Sequence, residues 1–476
     1  MTIEYWELPP GWKWATMGEV ADVIGGGTPK TNDSSNYEGG TIPWLTPADL
    51  SGYAAKTIGG GARYITKKGL ATSSAKLMPA GAVLFTSRAP IGYVAIASNP
   101  VCTNQGFKSF VLKNGLLSDY VYWWLKGSKN LAESMASGTT FLELSGAKVK
   151  TLPIPVPPID QQERIVAEIE KQFSRLDGAV ANLNRAKANL KRYRAALLKA
   201  AVDGRLVETE AEIARREGRS YETGEQLLRR ILETRRRQWK GKRKYKEPAA
   251  ADTTHLPELP QGWAWTNFEG AAERVTVGHV GPMKDEYAEQ GVPFLRSQNV
   301  RPNRYDAEGL KFISKQFHRR LEKSALRPGD LVVVRSGSVG VSCVIPEHLI
   351  EANCSDLVIV KNPDAVLPKF GAYYMNSVIE THVAAGKVGV ALTHFNTLSV
   401  ARLPLPLPPM AEQRRIVTEV DRRLTLLQKT ETLIDTNLRR AERLRQSVLG
   451  AAFCGKLHFC SQSVLNYDSS RKMAHA

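Results

Sequence analysis

Long apolar runs are missing from this sequence. No stretch approaches the roughly 18–20 residues that a membrane-crossing helix needs, so no spanning segment is expected. The first residues, MTIEYWELPPGW, lack a basic segment followed by an apolar one, and no secretory leader is expected. Cysteine is scarce: Cys102, Cys343, Cys354, Cys454 and Cys460 are five in 476 residues, an odd number without a C-x-x-C pair. That argues against a disulfide framework and for a reducing, cytoplasmic compartment. Acid is also short, 47 Asp and Glu against 65 Lys and Arg, leaving a net charge of +18. Such an imbalance favours a polyanionic partner, nucleic acid above all, over a basic tail or a solvated helix face. Part of the excess sits in Arg229–Lys246, with ten basic residues and one acid.

What the chain has in abundance is itself. LPIPVPPIDQQERIV (Leu152–Val166) returns 251 positions later as LPLPLPPMAEQRRIV (Leu403–Val417). ELPPGWKW at Glu7 returns as ELPQGWAW at Glu258, TIPWLTPADL at Thr41 as GVPFLRSQNV at Gly291, and MPAGAVLFTSRAPIG at Met78 as RPGDLVVVRSGSVG at Arg327. The copies agree in the glycines, prolines and apolar positions that set a backbone and differ in polar residues, which defines a tandem repeat. Each copy opens with about 150 residues of short β-like runs (GAVLFTS, GYVAIA, DLVVVRS, DLVIV) broken by Gly, Pro, Asn and Ser, a mixed, mostly β head. Alternating Leu-Pro-Ile-Pro cannot donate a full ladder, so this phrase predicts an edge or exit strand that Pro-Pro stops before a helix.

A long helix follows each head. Ile169, Phe173, Leu176, Leu183, Leu190 and Leu197 keep heptad spacing, as do Val420, Leu424, Leu427, Ile434, Leu438 and Val448, with Lys187, Arg194, Glu431 and Arg445 as breaks. Five heptads call for a coiled-coil partner, most simply the other helix in antiparallel pairing, which would relate the copies by a pseudo-two-fold axis. Asp160 and Glu163 have capping-box spacing at the first helix start; in the second copy Glu412 supplies first-turn negative charge. Gly204 and Gly455 mark the helix ends. Some 45 residues of helix span roughly 65–70 Å, or about two turns of B-DNA. The fold class expected is therefore α+β. Its segments are a first head at 1–158, a first helix at 159–206, a charged helical linker at 207–257, a second head at 258–409, a second helix at 410–460 and a flexible tail at 461–476. The linker reads equally well as a solvated connector or as an arm that contacts phosphate or docks a partner.

These motifs together, over nearly the whole chain, resemble the specificity subunit of type I restriction–modification enzymes. The signal is strongest in GGGTPKTNDSSNYEGGTIPWLTPADL, VLFTSRAPIGYVAI and the two proline phrases with their heptad helices. The resemblance implies two target-recognition domains, each reading half of a bipartite, asymmetric double-stranded DNA sequence. It implies helices that space the halves and bind two methyltransferase subunits, with two motor-nuclease subunits completing a restriction enzyme. S-adenosylmethionine would then belong to the methyltransferase, and ATP and Mg to the nuclease. No cofactor or metal is expected on this chain, which reads as non-catalytic. It has no Asn/Asp-Pro-Pro-Tyr/Phe tetrapeptide; GGGTPKT (Gly25–Thr31) lacks the Walker pattern and reads as a turn. Cys454, His458 and Cys460 make a weak metal set.

Base readers are expected among polar loop residues that differ between the copies at matched places. In the first head these are Thr86, Ser87, Arg88, Asn104, Gln105 and Lys108. In the second they are Arg296, Ser297, Gln298 and Asn299, with Arg335, Ser336 and Ser338. Trp123-Trp124 and Tyr373-Tyr374 fit a buried helix face better than base stacking. The alternative is a basic coiled-coil nucleic-acid scaffold outside restriction–modification.

Overall fold

The computed structural model describes residues 6–88, 90–138, 142–241, 244–384 and 396–457, the side chains of 380–384 excepted. The tail expected at 461–476, His458 and Cys460 lie outside them. The chain divides into two units, Met1–Asn184 with Asp435–Ala476, and Arg185–Ile434. The division runs through both long helices, so each unit holds one head and a part of each helix.

In the first unit a five-stranded sheet has the order Ala21–Gly25, Lys108–Leu112, Val83–Phe85, Val94–Ala97, Thr57–Ile58. A three-stranded sheet has Ile42–Leu45 between Tyr64–Ile65 and Cys102–Thr103. The second unit repeats both frames. Ala272–Val277, Leu357–Pro363, Leu331–Val334 and Ser342–Val344 form one sheet in that order. Tyr287–Ala288, Lys311–Ile313, Val292–Leu295 and Asn353–Cys354 form the other. Both copies hold a parallel strand pair at the matching place, Trp44 beside Cys102 and Phe294 beside Asn353. The copies diverge at the sheet edge. Thr57–Ile58 pairs with Val94–Ala97 in the first, whereas the second carries the hairpin Val300–Arg301 and Arg304–Tyr305, whose Asn303 N–H donates to Ser342 O.

The proline phrases form edge strands. Pro153–Val156 pairs antiparallel with Lys13–Thr16 alone, and Pro404–Leu407 with Ala264–Asn267, in the same register. Prolines two apart aim their missing N–H groups to one side. That side faces away from the partner strand, and its carbonyls receive side-chain donors instead. Pro155 O accepts from Tyr120 Oη (2.7 Å), Pro153 O from Trp124 Nε1 (2.9 Å), and Pro404 O from Tyr374 Oη (2.5 Å). Trp124 and Tyr374 are thus buried on helix faces, as the sequence suggested, and Trp123 packs its ring 5.0 Å from that of Phe173.

Ile159–Val202 and Met410–Phe453 are single helices of 44 residues each. The expected capping box is absent. Pro158 O receives the N–H groups of Gln161 and Gln162, so the helix starts before Asp160, which sits in the first turn and pairs with Arg164. A buried glutamine anchors the start instead. Gln162 accepts from Leu117 N (2.9 Å) and donates to Gly115 O (2.9 Å) and Pro157 O (3.0 Å). Gln413 does the same with Leu367 N, Ala365 O and Pro408 O. At the other ends Gly204 (φ +70°) and Gly455 (φ +67°) adopt the left-handed turn, and Arg205 N and Lys456 N close back onto Ala200 O and Ala451 O.

Within each unit the helical segments run antiparallel as a coiled coil. In the first, Asp177 pairs with Arg445, whose guanidinium stacks 5.2 Å from the Phe173 ring, and Ile169, Phe173, Leu449 and Phe453 share one core. In the second, Arg194 pairs with Glu431 at 2.9 Å, and Leu198 and Val202 share a core with Ile416 and Val420. The heptad breaks Arg194, Glu431 and Arg445 are therefore each half of an interhelical ion pair. Of the expected seam, Ile169, Phe173, Leu197, Val420, Leu427 and Ile434 are buried, while Leu176, Leu183, Leu190, Leu424, Leu438 and Val448 are half-buried.

The linker is not a free connector. Glu210–Glu217 and Gly224–Gln238 are helices, each started by a capping box from Thr209 or Thr223. Leu227 is buried, Leu228 and Ile231 pack on the second head, and Arg235 clamps Asp364. Glu210 is held by Arg415 (2.6 Å) and Arg219 (2.7 Å). Burial pushes its carboxyl up, but the two guanidiniums outweigh burial and keep it below its ordinary value.

Candidate nucleic-acid interface

Parallel neighbours end at the same side of a sheet, so the loops after Leu45 and Thr103 emerge together, as do those after Leu295 and Cys354. Asn104 N donates to Leu45 O (2.9 Å) and Ser355 N to Leu295 O (3.0 Å), which fixes both pairs of loops in the same way.

In the first head three segments converge on the turn Asn104–Phe107. Ser87 N and Oγ both donate to Gly106 O, and Asn104 Oδ1 accepts from Gly106 N. Gly26 N donates to Phe107 O and Gly27 N to Thr103 O. A Cβ at Gly26 would lie 1.8 Å from Asn104 O, so this glycine is required by close backbone approach. GGGTPKT is therefore a packing turn. Thr28 Oγ1 then reaches Gln105, and Arg88 lies 3.7 Å from Glu143. Thr86 and Ser87 are fully buried, and Thr86 Oγ1 accepts from Tyr93 N (2.8 Å). They hold the loop, and Arg88, Gln105 and Lys108 are left as its partly or fully exposed polar side chains.

The second head builds the same junction with other chemistry. Gly278 N donates to Leu357 O and His279 N to Cys354 O, as Gly26 and Gly27 do in the first. Asp356 takes the turn at φ +51° and binds both Arg335 (2.8 Å) and Ser336 Oγ (2.9 Å). Ser336 and Ser338 are exposed. Arg296–Asn299 lies on the adjoining loop. Asn299 is buried and spends its amide on Arg296 N, Asp306 O and Glu308 O, while Arg296 and Gln298 both reach Gly309 O and Ser297 is half-buried. The structure thus brings the expected residues of each head together, and it assigns Thr86, Ser87 and Asn299 to holding the frame.

Sequence reading missed a second set of cations. Exposed Arg63, Lys67 and Lys68 flank Tyr64–Ile65, and in the second head exposed Lys311 opens the matching strand Lys311–Ile313 while Lys315, Arg319 and Arg320 follow it. Thr66 and Ser314 cap the short helices that carry them. The signal was present as ITKK and ISKQ at matched places. His279 and Asp356 were missed as well, because the turn they build has one residue fewer than its first-head counterpart.

A family model described as the type I restriction modification DNA specificity domain matches residues 9–191 and 279–435. The chain belongs to that family. All the expected base readers of this specificity chain fall within the matched segments, and the linker falls outside them. It is 42% identical over 162 residues to the type I restriction enzyme MjaIX specificity subunit of Methanocaldococcus jannaschii, a match spanning 33% of this chain and 37% of that relative. It is 23% identical over 477 residues to the EcoKI specificity subunit of Escherichia coli K12, across 95% and 90% of the two chains. Among solved structures, the HsdS subunit of Thermoanaerobacter tengcongensis is similar in fold, with a TM-score of 0.56 at 18% identity over 96% of this chain and all of that one. A chain from a type I R-M system has a TM-score of 0.67 at 18% identity over 95% of this chain and all of that one. Among the described residues no helix is long and apolar enough to cross a membrane, and no cluster of three His, Cys, Asp or Glu side chains could hold a metal ion.

Proposed function

We propose that each head reads one half of a split DNA target, with the two long helices setting the separation and docking two methyltransferase subunits. The observation that supports this most is the junction built twice. Strand ends and the backbone hydrogen bonds from Gly26–Gly27 and from Gly278–His279 correspond in the two heads, whereas the displayed side chains differ: Arg88, Gln105 and Lys108 in one, Arg296, Gln298, Arg335 and Ser336 in the other. One frame with two sets of donors and acceptors suits two different half-sites. Arg63, Lys67 and Lys68, and Lys311, Lys315 and Arg319, would neutralise phosphates and supply most of the salt-dependent affinity.

The chain itself catalyses nothing in this reading. It directs adenine methylation by a partner that uses S-adenosylmethionine, and with two motor-nuclease partners using ATP and Mg it directs restriction. Co-expression with the methyltransferase and genome-wide mapping of modified adenines tests it. A single split motif is expected. Replacing head 1–158 should change one half of that motif and leave the other intact; simultaneous change of both halves would refute two independent readers.

A further inference from the structure

Two repeats on one backbone can be compared position by position for what fills them. In the first unit Trp6, Trp14, Trp124 and Phe453 form an aromatic cluster, with ring centroids 4.8 Å apart for Trp6 and Trp14, 6.2 Å for Trp6 and Trp124, and 5.1 Å for Trp124 and Phe453. The matching residues of the second unit are Pro257, Trp265, Tyr374 and Val202. The main chain follows the same path in both, since Trp14 Nε1 donates to Trp6 O (3.2 Å) and Trp265 Nε1 to Pro257 O (3.4 Å). Three of the four rings are thus replaced by smaller groups. A cavity of about 440 Å³ lies there, lined by Val202, Pro257, Trp265, Tyr374 and Pro406, with the Lys199–Asp203 ion pair (3.0 Å) also in its wall.

We propose that this cavity is a binding site for a planar aromatic group of indole size, the group that the first repeat supplies from its own chain as Trp6. Trp265 and Tyr374 offer ring edges and faces to such a guest, and Leu256, Leu259 and Pro406 beside them would expose less apolar surface to water once it is seated, while Lys199, Asp203 and Glu258 form the polar rim. The aromatic group arrives either as a free small molecule or as a side chain of a partner subunit.

Titrating the full chain with indole, read by ligand-detected NMR, tests the site. One equivalent should bind, and Pro257→Trp and Val202→Phe, which fill the cavity in two different ways, should each abolish binding and raise the melting temperature. Trp6→Ala should open the first-unit counterpart and take up a second equivalent. Absence of binding to the native chain, binding that survives both filling variants, or no second equivalent in Trp6→Ala would each overturn the proposal. The source is distinguished by assembling Pro257→Trp with the methyltransferase subunit, an arm that rests on the function proposed above as the indole titration does not. Weakened assembly identifies a partner side chain; undiminished assembly with indole binding lost identifies a free aromatic molecule.

Discussion

Replacing Gln162 by Ala should destabilise the first unit far more than the loss of one polar side chain suggests. Its amide makes three bonds of 2.9–3.0 Å from a fully buried position. Alanine leaves Leu117 N–H and Pro157 C=O without their partner, while Gly115 lies near enough to the surface for water to replace the third bond. Each stranded buried group costs about 1–3 kcal/mol, so about 3 kcal/mol in total is expected. Urea unfolding followed by tryptophan fluorescence suits the measurement, because six of the nine tryptophans (Trp6, Trp12, Trp14, Trp44, Trp123, Trp124) precede residue 184. Gln162→Glu sharpens the test. It keeps the acceptor for Leu117 but turns a second oxygen toward two carbonyls; only the protonated acid can donate there, its one O–H to buried Pro157 O while water serves exposed Gly115 O. Its folded pKa would rise, so stability should be near native at low pH and fall as pH climbs through that raised value. A Gln162→Ala shift below about 0.5 kcal/mol, less than the typical net worth of even one hydrogen bond, would refute the reasoning, as would a Glu variant of native stability at neutral pH.

Gly26→Ala should displace the Asn104–Phe107 turn, because the new Cβ falls 1.8 Å from a backbone oxygen; a cost of about 1–3 kcal/mol and impaired reading of one half-site only are expected by urea unfolding and methylation mapping. Arg194 and Glu431 are each about a third exposed, so a double-mutant cycle to Ala should return at most about 1 kcal/mol of coupling, and the charge swap Arg194→Glu with Glu431→Arg should recover most of it. Burial raises the pKa of Glu412, although it accepts from Trp263 Nε1 (2.9 Å) and Glu210 N (2.8 Å). The folded state therefore holds its proton longer than the unfolded chain, and the second unit should lose stability as pH rises through that raised value. Glu412→Gln should flatten that slope in unfolding measured from pH 4 to 7, since Gln161 occupies the matching place against Trp12 in the first repeat.

The repeat, the proline edge strands, the heptad seam and the glycine-terminated helix ends could all be read from residue patterns, because each depends on local backbone limits or on a period. The capping box could not. Asp160 and Glu163 have its spacing, but Pro158 already occupies the cap, and the anchor is Gln162, whose partners Gly115 and Leu117 are more than 40 positions away. Arg194, Glu431 and Arg445 looked like interruptions because the sequence does not reveal which cation meets which carboxylate across the seam. The candidate readers were found as clusters. Which members are buried depended on backbone carbonyls brought in by other strands, as Gly106 meets Ser87 and Asp306 and Glu308 meet Asn299.

The proline edge also bears on solubility. A two-stranded sheet exposes open margins that can recruit strands from other molecules and begin aggregation. On Pro153–Val156 the margin away from Lys13–Thr16 is buried against the helix Ser118–Gly127, has no N–H at Pro153 or Pro155 to offer, and has both carbonyls taken by Trp124 and Tyr120. A passing strand finds neither donor nor acceptor there. The same two residues that stop the ladder from growing inward keep it from growing between molecules.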